Sequence, residues 1–430
     1  MFFYCYTVLM YLVQPLLLLC LLRRSIEAPL YRQRINERYG FYSRKSVKPK
    51  PNGVLIHAAS VGEVLAARPL VNAILQQYPD LAVTLTTVTP TGSERVKSAF
   101  GDKVSHVYLP YDTPTAMARF LCFVQPKICI VMETELWPNL IHQLGKRNIP
   151  LIIANARLSA RSAQRYGKFK RMIRQMLSGI THIAAQDSIS ANRYLSLGCE
   201  QSRLTIIGNL KYDLSLSAVL QQQISSLKQQ WLPTSRPVWI AGSTHQGEEE
   251  TVLEAHRTLL QRYPDLLLLI VPRHPERFKA VEELIRKSGF NALRRSDQLA
   301  PTSETEVMLI DSMGELMLMY GISQIAFVGG SLLPIGGHNP LEPLAFKLPV
   351  ISGKHIFNFP EVFTALSAVG GVIEIDNQSE QLTATIDSLL SKPEQARQYG
   401  EAGYQVLMEN KGALDRLMLL LQPYLELQEK

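Results

Sequence analysis

Glu63 is the residue best spaced for proton chemistry. It follows Ser60-Val61-Gly62 just after an apolar run at 54–57, and a helical pattern begins at the same point. The helix dipole favours an ionised carboxylate in the first half-turn, and such a carboxylate can take the proton of a sugar hydroxyl as that hydroxyl attacks. The same four residues also satisfy a capping box, Ser-x-x-Glu, in which the carboxylate only reaches back to the backbone. Spacing alone leaves both roles open.

Groups suited to an anion lie in the second half of the chain. The stretch 329–350, GGSLLPIGGHNPLEPLAFKLPV, follows an apolar run at 324–328 and carries two glycine pairs, Gly329-Gly330 and Gly336-Gly337. Asn339 stands where it can cap a helix whose first position is Pro340, with Leu341 and Glu342 in its first turn. Strand, glycine loop and capped helix put free N–H groups and partial positive charge at the strand's carboxyl edge, where open α/β sheets bind phosphorylated ligands. Glu342 would repel a phosphate at those N–H groups, so it either accepts hydrogen bonds from ribose hydroxyls or merely complements the dipole. Three further loops follow apolar runs. Ser243 and Thr244 offer hydroxyls and N–H groups, Pro272-Arg273 offers a guanidinium, and Met313-Gly314-Glu315 leads into another helical pattern.

These loops need strands to hold them. Apolar runs at 54–57, 81–88, 127–132, 151–154 and 182–185 alternate with helical patterns in the first half, and runs at 237–241, 266–271, 307–310, 325–328 and 350–351 do so in the second. Strands separated by helices of this length build doubly wound parallel sheets. We therefore expect an α/β protein of two Rossmann-like domains, 51–213 and 214–430, behind a basic connector at 23–50 that includes Arg44, Lys45, Lys48 and Lys50.

Residues 1–22 carry no charged side chain and as one helix would reach ~33 Å, enough for a bilayer core. Arg23 and Arg24 follow the run instead of preceding it, which suits an N-terminal membrane anchor better than a secretory signal and leaves the body in the cytoplasm. Gln14 and Pro15 interrupt the run, so a helix lying in the membrane surface stays open. A net charge of +8 suits an anionic partner. With no zinc-finger spacing and no aromatic RNA-binding run, nucleic acid is set aside. Arg157, Arg161, Arg165 and Lys168, at helical spacing, are assigned to anionic lipid or a phosphorylated lipid acceptor. Five scattered cysteines without a CxxC read as reduced thiols. Nine histidines without ligand spacing, and the lack of any Asp-x-Asp, give no metal site.

Several words of the sequence are more specific than these spacings. ASVGE, TPTG, ETELWPN, NARLS, GNLKYD, VPRHPERF, DSMGELM and GGHNPLEP, spread over nearly the whole chain, resemble the Kdo transferases, a branch of the two-domain GT-B glycosyltransferases. The resemblance implies transfer of Kdo (3-deoxy-D-manno-octulosonic acid) from CMP-Kdo to a lipid A precursor, lipid IVA, with inversion. The setting it implies is lipopolysaccharide core biosynthesis at the cytoplasmic side of the inner membrane, without a cofactor or metal. Carried over by motif, CMP contacts fall on Pro272, Arg273, Met313, Gly314, Glu315, Asn339, Pro340, Leu341 and Glu342 in the C-terminal half. The acceptor side falls on the N-terminal half, at Glu133 of ETELWPN with Arg157 and Arg161, and the family's proposed base falls on Glu63. A GT-B transferase or epimerase using a UDP-sugar, and a non-catalytic two-domain phosphosugar-binding protein, are the alternatives.

With no Asp-x-Asp to hold a divalent ion, the leaving group's charge falls to helix N-termini and Arg273. Exhaustive chelation should therefore leave turnover largely intact. A collapse in rate that added magnesium restores would show that a metal carries that charge.

Overall fold

Nearly every apolar run that alternates with a helical pattern becomes a parallel strand. The computed structural model describes residues 2–42, 48–214, 216–232 and 236–426, so Arg44 and Lys45 of the expected connector lie outside the described residues. The chain divides into two units, Met1–Asp213 with Lys411–Lys430, and Leu214–Asn410.

The first unit holds β1 (Gly53–His57), β2 (Val83–Thr87), β3 (Ser105–Tyr108), β4 (Pro126–Met132), β5 (Leu151–Ala156), β6 (His182–Ala185) and β7 (Leu204–Ile206). Their order is β3-β2-β1-β4-β5-β6-β7, with every pair parallel. The second holds β8 (Val238–Thr244), β9 (Leu267–Pro272), β10 (Ala292–Arg294), β11 (Val307–Leu309), β12 (Ile325–Val328), β13 (Val350–Gly353) and β14 (Ile373–Ile375). Their order is β10-β11-β9-β8-β12-β13-β14, again all parallel. In each sheet the winding reverses beside the first strand, between β1 and β4 and between β8 and β12. Doubly wound sheets bind ligands beyond the carboxyl ends of the strands at that point.

Helices cover both faces of each sheet, so the strands read as unbroken apolar runs. Val54 and Ile56 pack on one side with Leu70 and Ile130, while Leu55 packs on the other with Phe120 and Val131. In the second unit Trp239 and Ala241 face Leu253 and Leu268, whereas Val238 and Ile240 face Trp231 and Met319. The strands without a clear run, β3, β7, β10 and β14, are the four sheet edges. Each is only three or four residues long. In β7 and β10 exposed residues break the pattern, as edge position allows. Ser60, Thr89, Thr113, Ser159, Asp187 and Ser217 start helices by accepting the N–H three residues on.

Two segments differ from the expected division. The sequence puts everything from 214 to 430 in one domain, but the last helix, Ala413–Leu425, packs in the first unit, burying Leu417, Leu421 and Leu425 with Leu70 and Ile74. Asp213 holds its start, accepting the N–H groups of Gly412 and Leu414 at 2.6 Å each. Arg416 donates to the Ile207 carbonyl at 2.7 Å. An amphipathic helix carries no mark of which sheet it covers, so this return is invisible in sequence.

At the other end, the single expected helix is two, Phe2–Leu12 and Gln14–Glu27, bent by 47°. Pro15 lacks the N–H that would continue the first. Among the described residues no single helix is long and apolar enough to cross a membrane. The first helix is also bonded to its own unit. Tyr6 donates to Asp112 at 2.9 Å, Thr7 donates to Asn139 at 3.1 Å, and Tyr11 shares a bond with Thr115 at 2.9 Å. Val8, Leu12, Leu16 and Leu19 stay exposed.

Asp213→Ala should weaken the first unit by about 1 kcal/mol, the usual worth of a helix cap. Denaturant titration checks this. An unchanged midpoint would mean that the apolar face alone holds the last helix.

Candidate active site

Glu63 sits in the first turn of the helix Val61–Gln77. Its N–H donates to Ser60 Oγ at 3.3 Å; its carboxylate accepts the Ala59 N–H at 2.9 Å and the Ser60 hydroxyl at 3.2 Å. The cap therefore forms, except that the N–H reached is that of Ala59 and not of Ser60. Against the dipole that favours an ionised Glu63 stands burial. Burial pushes the carboxyl up, the Ala59 N–H opposes this, and the nearby charges of Glu133 and Glu135 add to the rise, giving about 7. A carboxylate with that value is a proton acceptor matched to neutral solution.

Glu133, at the end of β4, is in the left-handed region with φ 57°, and Lys211 Nζ lies 3.9 Å from its carboxylate. Asn155, within β5, has φ 54° and accepts the Leu210 N–H at 3.0 Å. Such backbone costs ~1–3 kcal/mol per residue and gathers at functional sites. β1 and β4 are paired neighbours, which brings Glu63 and Glu133 together at one sheet edge. The basic face read from spacing is not one helix. Arg157 lies in the loop after β5, Arg161 and Arg165 are exposed on the helix Ala160–Gly167, and Lys168 ends it.

In the second unit β8 runs on to Thr244, so the expected helix starts only at Glu248. Thr244 is fully buried and its carbonyl accepts the Arg273 N–H at 3.0 Å, so it joins two loops instead of offering a hydroxyl to solvent. Ser243 beside it has φ 58°. Pro272, the last residue of β9, is buried, and Arg273 is partly exposed. Met313 and Gly314 are exposed. The Glu315 side chain is occupied: Arg295 donates to it at 2.9 and 3.1 Å, and Ser312 also donates. Burial acts to raise this carboxyl, but the bonds from Arg295 and Ser312 outweigh it and hold it below the ordinary value.

Asn339 Oδ1 accepts the Leu341 N–H at 3.1 Å, as expected of a cap, although Pro340 precedes the helix instead of opening it. That helix, Leu341–Leu344, is one turn of four residues. Glu342 is half-buried there. Burial, and then the Glu342 charge, raise the Tyr320 phenol well above its ordinary value. The Tyr320 hydroxyl lies against Gly242, where a Cβ would collide with it.

Three of the N–H groups expected to be free for phosphate are taken. Those of Gly330, Ser331 and Leu332 donate to the buried carboxylate of Glu248. What the edge presents instead is a group of imidazoles that the sequence reading missed. His245 and His338 share a bond between their Nε2 atoms at 2.8 Å with rings nearly parallel, and His274 meets His245 edge-on at 5.3 Å. Burial, then His274, Arg273 and Arg277, hold His245 down to about 4; burial, then Arg273, His245 and His274, hold His338 down to about 3. Their positions lie far apart in sequence and converge because β9, β8 and β12 are neighbours. Burial is the larger cause and leaves both imidazoles neutral near pH 7; the positive charge beside them is that of Arg273 and Arg277, which suits an anionic ligand. Among the described residues no group of His, Cys, Asp or Glu could hold a metal ion.

The family model for 3-deoxy-D-manno-octulosonic-acid transferase matches residues 33–214, and that for glycosyl transferases group 1 matches residues 241–406. A 3-deoxy-D-manno-octulosonic acid transferase from Haemophilus influenzae is 59% identical, covering 98% of both chains. A solved C-terminal CMP-Kdo binding domain of WaaA from Acinetobacter baumannii is 36% identical over 44% of this chain and 99% of its own, with a TM-score of 0.43. UDP-GlcNAc 2-epimerase from Neisseria meningitidis is 15% identical over 86% of this chain and 100% of its own, with a TM-score of 0.54, a likeness of fold.

The raised carboxyl of Glu63 has a sign that can be tested. Its folded value, about 7 against an ordinary 4.5, means that the folded state holds a proton the unfolded state has released, so stability is lost as pH rises from 4.5 through 7. Glu63→Gln carries no such loss. It should melt above wild type at pH 8, by an amount on the order of 1–3 kcal/mol, and level with it near pH 4. Equal melting at pH 8 would mean that Glu63 titrates normally.

Proposed function

The chain belongs to the 3-deoxy-D-manno-octulosonic acid transferase family and is a glycosyltransferase of lipopolysaccharide biosynthesis; on that premise we propose that it moves Kdo from CMP-Kdo onto lipid IVA with inversion. The observation that carries this reading is the Glu63 carboxyl, raised to about 7 at the ligand-binding edge of the first sheet. Ionised Glu63 accepts the proton of the acceptor hydroxyl. The hydroxyl oxygen bonds to the anomeric carbon of Kdo as the bond from that carbon to the CMP phosphate breaks, and the electron pair leaves on the phosphate. One displacement without a covalent intermediate inverts that carbon. Glu133 and Glu135 help keep the Glu63 proton affinity near neutral, and Arg157 and Arg161 offer charge to an anionic lipid.

The donor falls to the second unit. Arg273, beside the imidazoles of His245 and His338, meets the departing phosphate. Ser243 and the exposed Met313-Gly314 backbone are donor contacts, and Glu315 contributes through its backbone while its carboxylate stays with Arg295. Thr244 and Pro272 support Arg273 from below. Asn339, Pro340 and Leu341 present Glu342 to ribose hydroxyls. The exposed apolar side chains of the two N-terminal helices anchor the chain in the inner membrane, with the two units on the cytoplasmic side.

Mass analysis of the products from CMP-Kdo and purified lipid IVA tests the reading. Released CMP and an acceptor heavier by Kdo are expected, and Arg273→Ala should raise the donor KM by about tenfold or more, the loss of a charged hydrogen bond. No Kdo-bearing product, together with epimerisation of a UDP-sugar, would replace this reading with the epimerase one.

A further inference from the structure

Glu248 opens the helix Glu248–Leu260 and is wholly buried. It accepts four backbone N–H groups: His245 at 3.0 Å and Gly330 at 2.7 Å on one oxygen, and Ser331 and Leu332 at 3.0 Å each on the other. A carboxylate has about four acceptor directions, and the set uses them all; burial pushes this carboxyl up, and the four N–H bonds oppose the rise. His245 lies just past β8 and the other three just past β12, its neighbour in the sheet. The bonds continue outward. Ser331 Oγ accepts the Gly353 N–H at 2.8 Å, and the Ser331 carbonyl accepts the His355 N–H at 3.0 Å, which brings in the end of β13. Beside it Glu249, equally buried, accepts Arg277 at 2.5 Å from the loop after β9. One helix turn thus fastens the loops that follow four adjacent strands, β9, β8, β12 and β13.

We propose that Glu248 is a positioning residue for the donor: its carboxylate fills the amide cradle at 330–332 that an incoming phosphate would otherwise enter, and so holds that turn and the His245 imidazole where they and Arg273 can meet the donor's anion. This rests on the donor reading above. The cradle is the kind that binds phosphate in other α/β proteins. Here its charge is supplied internally, which directs the ligand's phosphate to the imidazole and guanidinium side. Gly330 completes the arrangement. Its φ of 71° aims the turn, and a Cβ there would press on the His338 ring at 2.9 Å.

Substitution separates this role from a general structural one. Gln keeps one accepting oxygen, so two N–H groups lose their partner and an amide NH₂ faces them. In the full chain, Glu248→Gln should weaken CMP binding in calorimetry, and raise the KM for CMP-Kdo, about tenfold, with kcat and the acceptor KM nearly unchanged. Glu248→Ala should do the same, and formate, which can refill the cradle, should restore CMP affinity. Hydrogen exchange on the wild-type chain needs no variant to fold: the amides of Gly330, Ser331 and Leu332 should be protected without CMP and unaltered by it. Several results would overturn the proposal: CMP binding as tight in Glu248→Gln as in wild type, a loss in both variants that formate leaves untouched, or amides at 330–332 that become protected only when CMP is added. If wild type itself fails to bind CMP, the donor reading falls and this inference falls with it.

Discussion

Burying a carboxylate requires N–H groups to receive it or acceptance of a proton, and the two units meet this requirement with different numbers of donors. Burial pushes the Glu248 carboxyl up, and four N–H donors oppose that rise while the group fixes the loops. Glu63 has the Ala59 N–H and the Ser60 hydroxyl, with other carboxylates nearby, and is left with a proton affinity near neutral. Both stand in the first turn of a helix that follows the first strand of a sheet. The same local architecture therefore yields a rigid brace in one unit and a titrating group in the other, and the number of donors each carboxylate finds makes the difference.

The covered sheets explain why these groups matter. With helices on both faces, the strand faces are occupied by apolar packing. Polar chemistry is left to the carboxyl ends, where Glu133, Asn155 and Ser243 adopt backbone that non-glycine residues seldom take. The first unit collects carboxylates there, and the second collects guanidinium groups beside imidazoles held neutral. In the proposed displacement the first set takes the acceptor's proton and the second meets the charge left on phosphate.

Much of this was legible in sequence. Unbroken apolar runs announce two-faced parallel strands, and Ser60, Thr89 and Thr113 announce helix starts. The edge strands were not legible because they are short and half-solvated, and the last helix was not because amphipathicity names no partner. The site was readable as loops but not as bonds. In sequence Glu248 is the first of three consecutive acidic residues, and only the structure brings the 330–332 amides onto it. The same convergence hid the imidazole group, whose members are separated by some thirty and sixty positions along the chain. Glu315 and Thr244 lie at these loops, yet their side chains are spent on Arg295 and on burial.

The central claim is that Glu63, with a carboxyl value of about 7, removes the acceptor proton. Single-turnover transfer from saturating CMP-Kdo, followed across pH in the wild-type chain, tests it most directly. The rate should climb about tenfold per pH unit below 7 and level off above it, as the base becomes fully ionised. A rate that is flat through neutral pH, or whose inflection lies at the ordinary carboxylate value, would contradict the claim.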